Sequence, residues 1–210
     1  MAGKNIREIR KGLKKVWWFI WESNSIWSWV VNIILAFIII KFIVYPVLGL
    51  MLGTSYPVVA VISSSMEHPG SFDEWWGLDS CCTDYTCKNR ISQEELYIPY
   101  LITKTKFKDF RFKDGFNKGD IMVLTGADNV EVGDTIVFHV DFRPDPIIHR
   151  VVEITDEGYF TKGDNNCGSA DFEKGVQNDK VIGEAVLRVP YLGWIKIGFM
   201  KMLMFFRGGG

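Results

Sequence analysis

The sequence predicts a mainly β domain, a small barrel or coiled sheet, carried behind a single membrane-spanning helix. Three observations support this. One long apolar run follows a basic tract. Short β-branched runs fenced by Gly, Asp or Pro then recur, which is the signature of strands. No long helical period interrupts those runs.

The first 25 residues are basic and amphipathic. Lys4, Arg7, Arg10, Lys11, Lys14 and Lys15 stand against Glu8 and Glu22, with Trp17, Trp18 and Phe19 following. Residues 4–20 alternate basic and apolar side chains, a pattern suited to lying on a membrane surface. From Ile26 to Gly53 the only charge is Lys41. Ile26 to Tyr45 is 20 residues, and as a helix these span roughly 30 Å, the thickness of a bilayer core. Trp27, Trp29 and Tyr45 fall where interfacial aromatic belts form. Lys41 is close enough to one end to snorkel, and Pro46 is expected to kink or end the helix. The run is too long for a cleaved leader and lacks a small-residue cleavage site before polar sequence. The basic flank places the N-terminus in the cytoplasm and residues 54–190 outside.

In the outer part, "YPVVAVISSS" (56–65) reads as the first strand. "GDIMVLTG" (119–126), "GDTIVFHVDF" (133–142), "PIIHRVVEI" (146–154), "YFTKGD" (159–164) and "DKVIGEAVLRVP" (179–190) follow. The "RPDP" link at 143–146 reads as a hairpin turn, which would pair Phe142 with Ile147, Val140 with His149 and His139 with Arg150. Residues 70–116 break the pattern. They are polar, aromatic and cysteine-bearing, and read as an insertion with a short helix near Ser92–Tyr97. The apolar stretch at 191–210 contains Lys196 and Lys201, which favours an interfacial segment over a second span.

A net charge of −1 gives the chain no bias towards nucleic acid. The candidate chemistry lies in "VISSSMEHPG" (61–70), where an apolar run ends in three hydroxyls. Ser63 and Ser65 are two apart, so in an extended chain they share a side while Ser64 faces away. A serine nucleophile needs a base within hydrogen-bond reach and an acid that orients the base. The histidines are His68, His139 and His149. His68 is close in sequence but sits in a turn beside Pro69. His139 and His149 lie on two arms of the expected hairpin, facing opposite sides. The residue pattern alone does not choose among them. "KGDNNCGSAD" supplies Asp164 and Asp171, and "GDNN" alone is a turn signal.

"VISSSM" behind a helix, then "GDTIVF", "IIHRVV" and "TKGDNN" in that order, resembles signal peptidase I. The likeness is to the archaeal and endoplasmic-reticulum branch, in which a His–Arg pair replaces the bacterial catalytic lysine. It covers about residues 27–69 and 117–190. The resemblance implies a signal-peptidase-like fold, Ser65 as nucleophile, Ser63 as oxyanion support and His149 as general base, with Asp164 and Asp171 orienting or shaping the site. It further implies a serine endopeptidase that removes signal peptides from exported preproteins, cutting after small residues, with no metal or cofactor. The expected partners are signal peptides, membrane lipid and the secretion translocon. The expected location is the cell membrane, or the endoplasmic-reticulum membrane in a eukaryote. This sequence departs from the family pattern in three places. Ser64 occupies a glycine position, "SMEHP" carries an extra His68, and the position six after Asp164 is Ala170, with Asp171 one later. Asp179 is a further candidate acid. Two rival readings are a processing or self-cleaving protease of the same fold, and a tethered β module that presents the insertion to a partner.

Cys81, Cys82, Cys87 and Cys167 allow three pairings in an oxidising location. "CCTDYTC" lacks C-x-x-C, so a disulfide is expected rather than zinc. A bond from Cys167 to the insertion would tie that loop beside "GDNN".

Overall fold

A computed structural model describes residues 2–82, 90–195 and 197–200 of the chain. Residues 83–89, which include Cys87, and residues 201–210 lie outside the description, as does the side chain of Cys81. Two compact units are present, Met1–Met51 and Leu52–Gly210.

The first unit is helical. Helix α1 (Ala2–Trp21) places basic and apolar residues at helical spacing. Helix α2 (Ile26–Leu52) is, among the described residues, the one helix long and apolar enough to cross a membrane. Ser25 caps its start by accepting the Trp27 N–H. The turn between the helices is stitched by side chains: Ser28 Oγ donates to Phe19 O at 2.5 Å and Asn32 Nδ2 to Ile20 O at 2.8 Å. These bonds satisfy carbonyls that a helix end leaves unpaired. Of the two outcomes expected at Pro46, a kink or an end, the helix does not end there. Residues Ile40–Val44 wind as a π-turn in which the Tyr45 N–H reaches back to Ile40 O, and the helix continues through Tyr45–Leu52. The wider turn carries the hydrogen-bond ladder up to the missing proline N–H.

The second unit is built on one antiparallel sheet. Its strands are β1 (Val58–Ala60), β4 (Ile121–Thr125), β5 (Thr135–Phe138), β6 (Ile147–Thr155), β7 (Gly158–Lys162) and β8 (Val181–Val189). Their spatial order is β1-β4-β8-β5-β6-β7, so the sheet is open rather than a closed barrel. Every expected run forms a strand, but two are shorter than predicted. Strand β1 stops at Ala60, and the serines lie on a turn closed by Glu67 N–H to Ser64 O at 3.1 Å. Strand β5 stops at Phe138. It pairs Phe138 with Ile147 and Ile136 with His149, four residues away from the predicted register. The connection therefore spans 139–146, and exposed His139 lies in it rather than opposite Arg150.

The insertion is folded. It contains a hairpin of β2 (Asp79–Cys81) with β3 (Arg90–Ser92), and the helices α3 (Phe72–Trp76), α4 (Gln93–Tyr97) and α5 (Lys104–Lys108). The predicted helix near Ser92–Tyr97 is α4. Ser92 and Glu95 close a capping box at its start, and Ser71 with Glu74 does the same for α3. Phe72, Trp75, Trp76, Leu96, Tyr97, Ile102 and Phe107 bury one another against Val152 of β6. Strand β6 carries a bulge between Val151 and Glu153. Val151 joins the core formed with Ile136 and Phe138, and its neighbour Val152 joins the aromatic cluster on the Arg150 side. Cys82 and Cys167 form a disulfide with Cα atoms 5.3 Å apart, tying the insertion to the turn after β7.

Phe107 is fully buried and packs on Phe72, Trp75, Trp76, Tyr97 and Phe110. Phe107→Ala is expected to lower stability by about 3–5 kcal/mol, read by chemical denaturation of the detergent-solubilised chain. A loss below about 1 kcal/mol would mean the cluster is not a core.

Candidate active site

Strand β6 presents His149 and Arg150 to opposite faces of the sheet. Both are buried, and they organise two adjoining clusters.

On one face, His149 Nε2 is 2.9 Å from Ser65 Oγ. Ser65 Oγ is in turn 3.2 Å from Ser63 Oγ. The two hydroxyls meet although the serines sit on a turn and not on the predicted strand. The other imidazole nitrogen, Nδ1, makes a short contact to Glu173 Oε1. Glu173 is buried, and its second oxygen accepts the Ala170 N–H at 2.8 Å. The result is a continuous Ser–His–Glu chain with the carboxylate pinned from behind. It opens into a cleft of about 820 Å³, walled by Ile62, Ile147, Ile148 and Phe172 among others.

Glu173 is absent from the sequence-level candidates, and the expected acids lie elsewhere. Asp171 is fully exposed and pairs with Lys174 at 2.8 Å. Asp179 is exposed. Asp171–Glu173 form one 3₁₀ turn. At three residues per turn, positions two apart point about 120° from each other, and here Asp171 faces water while Glu173 faces His149. The signal that could have located Glu173 is "ADFE" itself, an acid three residues after the Ala170 that replaces the family aspartate.

Asp164 is fully buried and does not touch His149. It accepts from Arg150 Nε at 2.9 Å and Nη2 at 2.7 Å, from Tyr97 Oη at 2.9 Å and from His68 Nε2 at 2.9 Å. Burial alone would raise its carboxyl. The Arg150 charge, with hydrogen bonds from His68 and Arg150, outweighs burial and holds it far below the usual carboxylate range. Burial likewise opposes the Arg150 charge, and Asp164 more than restores it. The remaining Arg150 donors reach Arg111 O, Gly133 O and Phe112 O at 2.8–3.0 Å. Burial, reinforced by the Asp164 charge, pushes the Tyr97 phenol well up, so it stays a donor.

The turn carrying Asp164 touches both members of the Ser–His pair. The Asn165 N–H donates to Ser65 O at 2.8 Å. Gly163 packs so closely that a Cβ there would lie 2.8 Å from His149 Nε2, so only glycine fits. Lys162 is buried beside the turn, donates to Gly163 O at 3.1 Å and lies 4.5 Å over the Tyr97 ring.

An open antiparallel sheet behind an apolar helix, with a hydroxyl–imidazole–carboxylate chain in a surface cleft, defines a signal-peptidase-like β domain. No family model matches the chain. Individual relatives do. The signal peptidase complex catalytic subunit SEC11C of Homo sapiens is 36% identical over 94 residues, covering 39% of this chain and 49% of that protein. The same figures hold for SEC11C of Mus musculus. SEC11 of Colletotrichum graminicola is 35% identical over 95 residues, covering 39% of this chain and 55% of that protein. The chain thus spans about half the length of the curated relatives it matches. Over that stretch the chain is similar to the SEC11 catalytic subunits, the branch of signal peptidase I that its motifs resemble.

Two measurements check the electrostatics. Asp164→Asn leaves Arg150 buried without its counter-charge and is expected to cost about 3–5 kcal/mol, measured by denaturant unfolding. Burial lowers Lys162 from 10.5 to about 8. The unfolded chain therefore binds the extra proton between those values, and stability should rise with pH from about 8 to 10.5. The melting temperature of the native chain should gain on that of Lys162→Met across this window. A constant gap would show that Lys162 does not titrate there.

Proposed function

We propose that the chain is a membrane-anchored serine endopeptidase that cleaves signal peptides from preproteins. The observation that carries this reading is the Ser65–His149–Glu173 chain, continuous from hydroxyl to buried carboxylate and open to a cleft. The homology to signal peptidase catalytic subunits supports the substrate class.

Glu173 accepts from His149 Nδ1–H and so keeps Nε2 free to act as the base. His149 Nε2 takes the Ser65 proton as Oγ attacks the scissile carbonyl. The Ser63 hydroxyl, together with backbone N–H groups, donates to the developing oxyanion. His149 then passes the proton to the leaving amine, whose departure leaves an acyl-Ser65 ester. Water enters, gives its proton to His149 and attacks the ester, and His149 returns that proton to Ser65 Oγ as the ester bond breaks and the new carboxyl end leaves. His149 handles every proton transfer, while the Glu173 carboxylate orients the imidazole and stabilises the charge it gains.

Helix α2 holds the enzyme in the bilayer that also holds its substrate, which raises the effective concentration of the cleavage site. The basic α1 lies on the cytoplasmic leaflet, where anionic lipids attract it, and the catalytic domain lies on the opposite side. Lipid and the secretion translocon are its neighbours in this reading. The apolar walls at Ile62, Ile147 and Ile148 suit small uncharged side chains upstream of the cut.

Preprotein cleavage in vesicles tests this. Ser65→Ala and His149→Ala should each abolish turnover. Glu173→Gln should lower kcat by on the order of 10²- to 10⁴-fold, and Ser63→Ala by about 10²-fold. Asp171→Asn should leave kcat unchanged. Full activity in Ser65→Ala would sink the protease reading and favour a binding module.

A further inference from the structure

His68 takes no part in the proposed proton transfers, yet its surroundings are closely fitted to it. Its side chain is fully buried, with Nε2 2.9 Å from Asp164 Oδ2. Its ring stacks on Trp75 of the insertion, centroids 3.5 Å apart and planes within 5°. On another side lies bare backbone. Gly115 has φ +66°, and a Cβ there would fall 2.7 Å from His68 Cδ2. Nδ1 is buried and without a partner among the described residues. The ionised Asp164 can only accept, so Nε2 carries a hydrogen and donates it.

Tyr97, also from the insertion, donates to the other oxygen of Asp164 at 2.9 Å. Donors from two segments outside the sheet therefore grip one carboxylate. The residues flanking that carboxylate touch the Ser–His pair: Asn165 N–H holds Ser65 O, and Gly163 packs on His149 Nε2.

We propose that His68 and Tyr97 are positioning residues: with Arg150 they lock Asp164, and through the Gly163–Asn165 turn they hold Ser65 Oγ against His149 Nε2. The lock rests on the reading of Ser65 and His149 as the reacting pair for its effect on rate, but not for its effect on the turn. The insertion is thereby part of the catalytic scaffold, and the extra residue of "SMEHP" is what lets it reach the turn.

Two substitutions of His68 in the full detergent-solubilised chain separate positioning from packing. His68→Phe keeps the ring on Trp75 and removes the donor. His68→Gln restores an N–H near the Nε2 position without the ring. We expect His68→Phe to lower kcat about 10- to 100-fold with KM within about two-fold. We expect the Asn165 amide to exchange about ten-fold faster, and His68→Gln to recover most of both. Tyr97→Phe should act in the same direction, and the double variant should lose less than the product of the single losses. The proposal is overturned if His68→Phe and Tyr97→Phe leave Asn165 exchange and kcat within about two-fold of the native chain. It is equally overturned if His68→Gln is as impaired as His68→Phe and both losses track the unfolded fraction. Should the native chain cleave no preprotein while Asn165 exchange responds as expected, the lock stands and the protease reading alone fails.

Discussion

The buried Arg150–Asp164 ion pair is the constraint around which the catalytic unit is arranged. Two charges removed from water are tolerated only when nearly every lone pair and proton finds a partner. Arg150 meets that demand with three backbone carbonyls from the end of the insertion and the start of β5, beside Asp164 itself. Phe107 and Phe110 cover its guanidinium, with centroids 4.6 and 5.7 Å away, adding cation–π attraction to the enclosure. Asp164 completes its own shell with His68 and Tyr97. The pair thus joins β6, the turn after β7 and the insertion. Strand alternation converts that anchoring into aim: with Arg150 fixed on one face, His149 must project from the other, towards Ser65.

The same arrangement separates two jobs that acids perform near a catalytic histidine. Asp164 shapes the turn and bonds to Arg150, Tyr97 and His68 rather than to the His149 imidazole. Glu173 meets that imidazole directly, and its second oxygen is held by the Ala170 N–H. Where relatives of this pattern carry an aspartate six residues after the first, this chain has alanine and supplies a longer side chain three residues later. A 3₁₀ turn makes the exchange geometrically possible, because it brings position 173 back over position 170.

The insertion illustrates how far local patterns extend. Of its helices only α4 was expected from the sequence, although α3 and α4 both start on Ser-x-x-Glu spacings that depend only on neighbours in sequence. Its burial was not visible, because Phe72, Trp75 and Trp76 could as easily have formed an exposed aromatic patch. What decides the matter is the packing of these rings against Val152 of β6, a strand remote in the sequence. The hairpin register failed for a related reason. "RPDP" has turn chemistry, but β5 stops at Phe138 because the chain beyond it pairs differently, His139 N–H donating to Lys180 O. A long-range contact overrode a local signal.

By itself the sequence determined the apolar helix, the order of the strand-forming runs, Ser63, Ser65 and His149 as candidates through motif order, and that full pairing of the four cysteines joins Cys167 to one in the insertion. These follow from hydrophobic period, turn residues and motif order, all local properties or ordered sets of them. Only the tertiary structure decided which acid faces the base, where each strand ends, and what His68 does. Each of those depends on directions in space: the phase of a 3₁₀ turn, the site of a bulge, and the meeting of Asp164 with donors 67 and 96 residues away in the chain. A one-dimensional pattern does not encode such directions, because a single residue's shift in phase sends a side chain to the opposite face.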